Sequence, residues 1–440
     1  MDRSLGISQA EATRAFAKIG LLSFGGPAAQ IAVMHRILVE EKNCLTEQQF
    51  LHALNFCMLL PGPEAMQLAT YAGWLLHGVR GGLIAGLLFI LPGLVMMLAV
   101  SAIYVAFGEV PLLAGLLFGL KAAVLAVVLQ ALIKVSKRAL GSPFMYILAV
   151  LAFVAIFILK IPFPLIILGA AFIGFFALKA APALLPSSVV AGNDQHSVAK
   201  SGASESAMRQ TVHAIIIWGG IWIAALGAIS LLAPGEFASE AAQFFSKTAA
   251  VTFGGAYAVL AFVGQQAVEF YGWLSADDML KGLGLAETTL GPLVLVLVFV
   301  GYVGGANGAV GLDHIGGLAG GLIAAFFTFV PCFLWIFAGA PHMERLRHLT
   351  WLSASLAAVT AAVVGVIANL AVWFGLSVLF GELSSVQIGL VNIPTFNIAQ
   401  FDWIAAIIAL GSGIALLRFK LNLMLVLAIS AIIGAIVSMI

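Results

Sequence analysis

Apolar runs close to twenty residues long recur from one end of this chain to the other, and they leave few folds open to it. Residues 83–107 and 351–374 are two of them. A helix of that length matches the roughly 30 Å hydrocarbon core of a bilayer. Lipid offers no hydrogen bonds, so a spanning segment satisfies its own backbone as a helix or joins a closed barrel. Barrel strands alternate over about ten residues, whereas these runs are continuous. Only 9% of the 440 residues are charged and 62% are hydrophobic, against roughly 25% charged in a soluble domain. So few charges cannot cover a water-facing surface. The sequence predicts an all-α fold: a polytopic transmembrane helical bundle.

About thirteen apolar segments can be counted. Six precede residue 180, at about 14–34, 51–76, 82–107, 111–134, 144–160 and 162–179. A Ser-, Ala- and Gly-rich stretch over 183–212 reads as a flexible cytoplasmic linker. A connecting transmembrane helix over 213–235 follows, and then six more segments. The expected organisation is an N-terminal repeat over 1–182 and a C-terminal repeat over 236–440.

The repeat is visible in the residues. Ser23-Phe-Gly-Gly26 matches Thr252-Phe-Gly-Gly255, an offset of 229 (252 − 23). Lys18 and Lys247, Leu45-Thr46 and Leu274-Ser275, and Gly62-Pro63 and Gly291-Pro292 keep the same offset without a gap. Farther on, Tyr71-Ala-Gly-Trp74 resembles Phe299-Val-Gly-Tyr302 at 228. Charge then argues that the two halves are inverted. Lys and Arg near helix ends favour the cytoplasm. In the first half, Glu109 marks an outer loop, and Lys134, Lys137 and Arg138 an inner one. In the second half the equivalent loops exchange sides. Arg345 and Arg347 are inside, the loop with Glu382 and Asp402 is outside, and Arg418 and Lys420 are inside. Inverted-topology repeats are a recurring plan of secondary transporters.

Ser23-Phe-Gly-Gly-Pro27 and Leu60-Pro-Gly-Pro63 interrupt apolar segments. Proline removes a backbone donor and glycine loosens a helix. A break at membrane depth exposes N–H groups at a half-helix N-terminus, which can hold an anion without a buried cation. The other reading is a kink or a close helix crossing. Repetition at one offset favours the site. The expected ligands of an oxyanion at the midplane are the amides of Gly25, Gly26, Gly254 and Gly255 and the hydroxyls of Ser23 and Thr252. The half-helix ends near Gly62 and Gly291 complete the set. Lys18 and Lys247 would supply attraction, or snorkel to an interface. Lys121 lies deeper and is a candidate to line the path. Glu64 and Glu287 are candidates to carry a coupling proton, since an intramembrane carboxyl is a functional candidate by default. For Glu64 a helix-capping role competes with that reading.

Other chemistries find little support. Cys44, Cys57 and Cys332 are scattered without metal spacing, so neither a disulfide nor a metal is expected. There is no phosphate-binding Gly-rich loop with its Lys, so no cofactor is expected. A net charge of +1 gives no basic surface for nucleic acid. An enzyme acting on lipid would need clustered acids or histidines, and Glu64 and Glu287 stand apart in sequence. Asp277-Asp278 reads as a solvated helix start. Gly82…Gly86, Gly316…Gly320 and Gly317…Gly321 read as helix-packing spacings.

Taken in order, Ser23-Phe-Gly-Gly-Pro-Ala28, Leu59-Leu-Pro-Gly-Pro-Glu64, Gly73-Trp74, Phe253-Gly-Gly-Ala-Tyr-Ala258, Tyr271-Gly-Trp273, Gly291-Pro-Leu293 and Phe299-Val-Gly-Tyr302 resemble the chromate ion transporter family in its long two-domain form. The resemblance covers about residues 14–375. It implies efflux of chromate across the bacterial inner membrane, coupled to the proton gradient or membrane potential, and chromate resistance. Sulfate uptake or exchange is the alternative it leaves open, because both ions are tetrahedral dianions. Membrane lipid and a second copy in a homodimer are the further partners expected. Two residues depart from the family's pattern: Leu290 replaces a usual proline, and Cys44 replaces a usual tryptophan.

Overall fold

In a computed structural model the chain is described over residues 7–186, 205–233, 235–253, 255–308, 313–343, 349–381, 384–388 and 391–439. Gly254, Arg345, Arg347, Glu382 and most of the linker lie outside these residues. Nearly everything described is helical. Among the described residues, six helices are long and apolar enough to cross a membrane. The protein is an all-α, multi-pass membrane protein, with one small hairpin besides.

The elements repeat in order. The first half holds α1 (Gln9–Leu22), α2 (Gly26–His35), α3 (Glu47–Cys57), α4 (Glu64–Phe107), α5 (Pro111–Ala139), α6 (Pro143–Phe157) and α7 (Phe163–Ala180). Next, α8 (Glu205–Ala214) continues through a π-helical turn into α9 (Gly220–Leu232). The second half has α10 (Glu236–Val251), α11 (Ala256–Gly264), α12 (Ala276–Thr288), α13 (Val296–Asn307), α14 (His314–Gly339), α15 (Thr350–Phe380), α16 (Trp403–Leu417) and α17 (Leu423–Met439). Between α15 and α16, β1 (Ser384–Ile388) pairs antiparallel with β2 (Val391–Thr395). This hairpin was not expected from the sequence.

The 229-residue offset reappears in the backbone. The π-helical turns Arg36–Glu41 and Gln265–Phe270 occupy equivalent positions. The bonds that end them, Lys42 N–H to Ile37 and Cys44 N–H to Leu38, recur as Tyr271 to Gln266 and Trp273 to Ala267. Thr46 caps α3 in a reciprocal box with Gln49, and Ser275 caps the start of α12 with Asp278. Each such cap satisfies helix-terminal donors that have no partner within the helix. At the far end of each half, Lys160 and Lys420 take the same left-handed turn, with φ of 50° and 52°.

Helix α4 is not one straight rod. His77 and Gly78 leave helical geometry, and Gly78 has φ +63°. The arm over 64–76 folds back on the arm over 79–107. A Cβ at Gly73 or Gly81 would overlap the other's carbonyl, so this crossing needs glycine on both sides. Gly301 against Gly320 and Gly305 against Gly316 close α13 onto α14 in the same way. Residues 65–73 and 296–306 are buried without interruption. At about 1.5 Å per residue these short arms span about 18–20 Å. Neither crosses a 30 Å core alone.

The chain forms two compact units. The first comprises residues 1–105, 195–256 and 286–348. Here the π-helical turn between α8 and α9 lays Trp218 on Phe333 and Phe337 of α14, and the Trp222 indole of α9 donates to Ser246 at 3.0 Å. The second comprises residues 106–194, 257–285 and 349–440. In it each half embraces a helix of the other. First-half α6 and α7 pack on second-half α15, where Gly365 meets the Ala149 carbonyl and Gly174 meets Ala354 and Ala358. Second-half α16 and α17 pack on first-half α5, where Gly119 meets Ser430 and Gly434 meets Gly115.

Candidate functional site

Four helix breaks lie in the first unit, and they are hydrogen-bonded in reciprocal pairs. The first falls between α1 and α2, where Gly25 and Gly26 have φ of +81° and +78°. The second lies between α3 and α4, with Gly62 at +127°. Their second-half equivalents hold Gly255 at +100° and Gly291 at +81°. L-residues rarely adopt such values, so glycine is required there. Leu290, in place of the family's proline, does not close the last break.

The pairing crosses between halves. The Gly291 N–H donates to the Ser23 carbonyl at 2.8 Å, and the Gly62 N–H donates to the Thr252 carbonyl, also at 2.8 Å. The opening motif of each half is thus tied to the second motif of the other. The Ser23 and Thr252 hydroxyls donate to the carbonyls four residues back, Ile19 and Thr248, at 2.6 and 2.5 Å. Both hydroxyl protons are therefore used inside the helix, so neither hydroxyl is free to donate to an anion in this state. The amides of Gly62 and Gly291 are committed to the crossing as well.

Two glutamines complete the core of the crossing, and the sequence reading did not select either. The Gln30 side-chain N–H donates to the Gly291 carbonyl and that of Gln67 donates to the Pro61 carbonyl, each at 2.6 Å. Both side chains are fully buried. A carbonyl needs a donor, which fixes each amide's orientation and leaves both Oε1 atoms without a partner among the described residues. A polar residue in an apolar stretch immediately past each glycine break was the available signal.

The N-terminus of α2 is left without a side-chain cap. Its cap residue, Gly25, provides no side-chain bond, and Pro27 follows within the first turn. Gly25, Gly26 and Gly255 are only half-buried, with no atoms packed against Gly26 or Gly255 where a Cβ would stand.

The predicted charges are placed less uniformly. Lys18 gives its ammonium to Glu41 at 2.8 Å on an exposed face, and this bond holds the Glu41 carboxyl below its usual range. Lys247 is exposed. Glu64 opens α4 at the second break and is half-buried. Glu287 is buried, at 4% exposure, just ahead of the Gly291 break.

Lys121 sits in the second unit, ten residues into α5, with its side chain 14% exposed. Its ammonium bonds Asp277 at 2.6 Å, and the other oxygen of Asp277 bonds Lys281 at 2.7 Å. Asp277 and Asp278 do open the helix at a partly exposed position, as the sequence predicts, and Asp277 is in addition a bridge between two cations. Burial works against ionisation of Asp277, yet Lys121 and then Lys281 outweigh it and keep its carboxyl below the usual range.

Broken short helices buried within a multi-pass bundle are an arrangement that recurs in membrane transporters. The chain belongs to the chromate transporter family, which matches residues 10–175 and 239–435. It is 28% identical to the chromate transport protein of Cupriavidus metallidurans, covering 95% of this chain and 90% of that one. It is 30% identical to the chromate transport protein of Pseudomonas aeruginosa, covering 80% and 77%. A probable chromate transport protein of Synechococcus elongatus is 27% identical, covering 87% and 88%. No solved structure matches the chain.

Proposed function

We propose that this protein exports chromate across the bacterial inner membrane by alternating access, driven by the proton gradient or the membrane potential. The observation that carries the reading is the crossed pairing of Ser23 with Gly291 and Thr252 with Gly62, beside an uncapped α2 N-terminus. The names of the relatives support chromate as the cargo.

The anion sits against the amides of Gly25, Gly26 and Gly255, where the helix dipole and unpaired N–H groups replace water. The two crossed bonds act as latches. When they open, the Gly62 and Gly291 amides become available on the other side of the ion. Two inverted halves that exchange such bonds produce the two access states. Lys18 and Lys247 add positive field at the approach rather than direct ligands. Glu287, a buried carboxyl next to a latch, carries the coupling proton, with Glu64 as its counterpart in the first half.

Amides and a dipole read charge and oxygen geometry, not the central atom. Sulfate therefore fits the same cradle, and its uptake or exchange is the second reading. Labelled chromate and labelled sulfate flux in inverted vesicles, with and without an imposed pH gradient, separates the two. Gly26→Val and Gly255→Val should abolish flux while leaving membrane insertion intact. Wild-type chromate export by both variants would sink the proposal.

A further inference from the structure

The second unit holds a cavity of about 800 Å³ that the break mechanism does not use. Its polar walls are Lys121, Ser377, Thr395, Asn397, Gln400 and Asp402. They come from mid-α5, the end of α15, and the segment that carries β2 and leads into α16. By the charge reading above, this end of α5 and α15 faces the outside.

The wall chemistry suits an anion. Lys121 stands between the cavity and Asp277, and its largely buried ammonium has one identified carboxylate partner, which it shares with Lys281. Lys121, Asp277 and Lys281 together carry one net positive charge. Asn397 uses its Oδ1 to accept the Ala399 N–H at 3.0 Å, so its remaining side-chain groups are donors. Asp402 is the one acidic wall residue among the described residues. Its Oδ1 accepts the Ala405 N–H at 2.8 Å as the cap of α16, and the positive end of that helix offsets its charge. Ser377 and Gln400 add a hydroxyl and an amide.

We propose that this cavity is a second binding site for a tetrahedral oxyanion, with Lys121 as its charged ligand and Asp277 as the internal competitor that the arriving anion displaces. The inference takes the ligand class from the transport reading above, but not the break site. An anion entering the cavity exchanges the Lys121–Asp277 bond for a Lys121–oxyanion bond. Asp277 keeps Lys281, so its charge is not left unpaired. A cation partnered in this way can bind and release cargo, whereas an unpaired buried lysine would hold it too tightly or lose its proton.

Equilibrium dialysis of the purified full-length protein in detergent, with labelled sulfate and separately with chromate, tests this. The wild type should bind two equivalents per chain. Lys121→Met should lose one of them. Asp277→Asn should keep both and tighten the Lys121-dependent one roughly tenfold, the worth of removing one competing charged hydrogen bond. A purely structural ion pair predicts the opposite sign, so weaker binding or no change in Asp277→Asn overturns the proposal. A single equivalent in the wild type, untouched by Lys121→Met, does the same. If Lys121→Met does not fold, Lys121→Arg retains the charge and the Asp277→Asn sign still decides. Gly26→Val separates the two readings. If it leaves export intact while Lys121-dependent binding persists, the break site fails and this one stands. If it abolishes export and no Lys121-dependent equivalent is found, only this one fails.

Discussion

The Ser23 carbonyl accepts the Gly291 N–H at 2.8 Å, joining the opening motif of the first half to the second motif of the other. The Gly291 carbonyl in turn receives the Gln30 side chain at 2.6 Å, from the helix that follows Ser23. The N–H and the carbonyl of the glycine in one break are therefore both held by the other. The first three predictions concern this crossing and its neighbours.

Gly62 and Gly291 should differ in tolerance. Alanine at Gly62 meets a φ of +127° and the side chains of Gln67 and Cys332 at 2.7 and 2.8 Å. Alanine at Gly291 meets φ +81° and the movable Leu295 side chain at 2.8 Å. Left-handed backbone costs an L-residue about 1–2 kcal/mol, and overpacking adds about 1–3 kcal/mol. Thermal unfolding in detergent should show Gly62→Ala the less stable, with chromate flux lost in Gly62→Ala and reduced in Gly291→Ala.

Gln30→Met keeps volume but removes the donor to the Gly291 carbonyl. An unsatisfied buried acceptor costs about 1–3 kcal/mol. The variant should unfold at lower temperature and transport more slowly, and Gln30→Leu, which also lacks a donor, should behave alike. Wild-type stability and flux in Gln30→Met would mean that the bond does not hold the break.

Glu287→Gln should uncouple. As the buried carboxyl beside the Gly291 break, it is the group expected to load and release a proton. Flux driven by an imposed pH gradient should fall toward the ungraded rate in this variant, while sulfate binding is retained. An unchanged response to the gradient would remove Glu287 from the mechanism.

Lys18→Gln combined with Lys247→Gln should raise KM at low ionic strength and have little effect at high salt. Exposed charges act through a field that salt screens within about 10 Å at 0.1 M. A salt-independent loss would mean direct ligation instead.

Asp277 sets an acid limit on the second unit. Its carboxyl lies below its ordinary value of 3.8 when folded. A depressed carboxyl contributes stability above the unfolded value and loses it as pH falls through the folded one. Wild-type melting temperature should therefore drop as pH is lowered from about 4, and Asp277→Asn should lack that part of the drop.

The helical class and the broken segments were legible because each rests on local signals. Length and apolarity define a span, glycine and proline define a break, and the 229-residue offset returned as matching hydrogen bonds at Ile37 and Gln266. Partners distant in sequence were not legible. Nothing near Ser23 indicates Gly291, and nothing near Lys121 indicates Asp277, since each pairing is made by folding. Gln30 and Gln67 escaped notice because a lone glutamine in an apolar stretch carries no pattern of its own. Strands β1 and β2 were hidden in the loop over 381–402, where two five-residue runs give too little alternation to stand out.

The embrace of α5 by α16 and α17 sets the order in which the molecule can be completed. Gly119 and the surface it fits at Ser430 are 311 residues apart (430 − 119), so that surface is synthesised long after α5. Until then the groove on α5 has no α16 or α17 to fill it. A stop codon ahead of α17 would therefore strand an early helix as surely as a lesion within it.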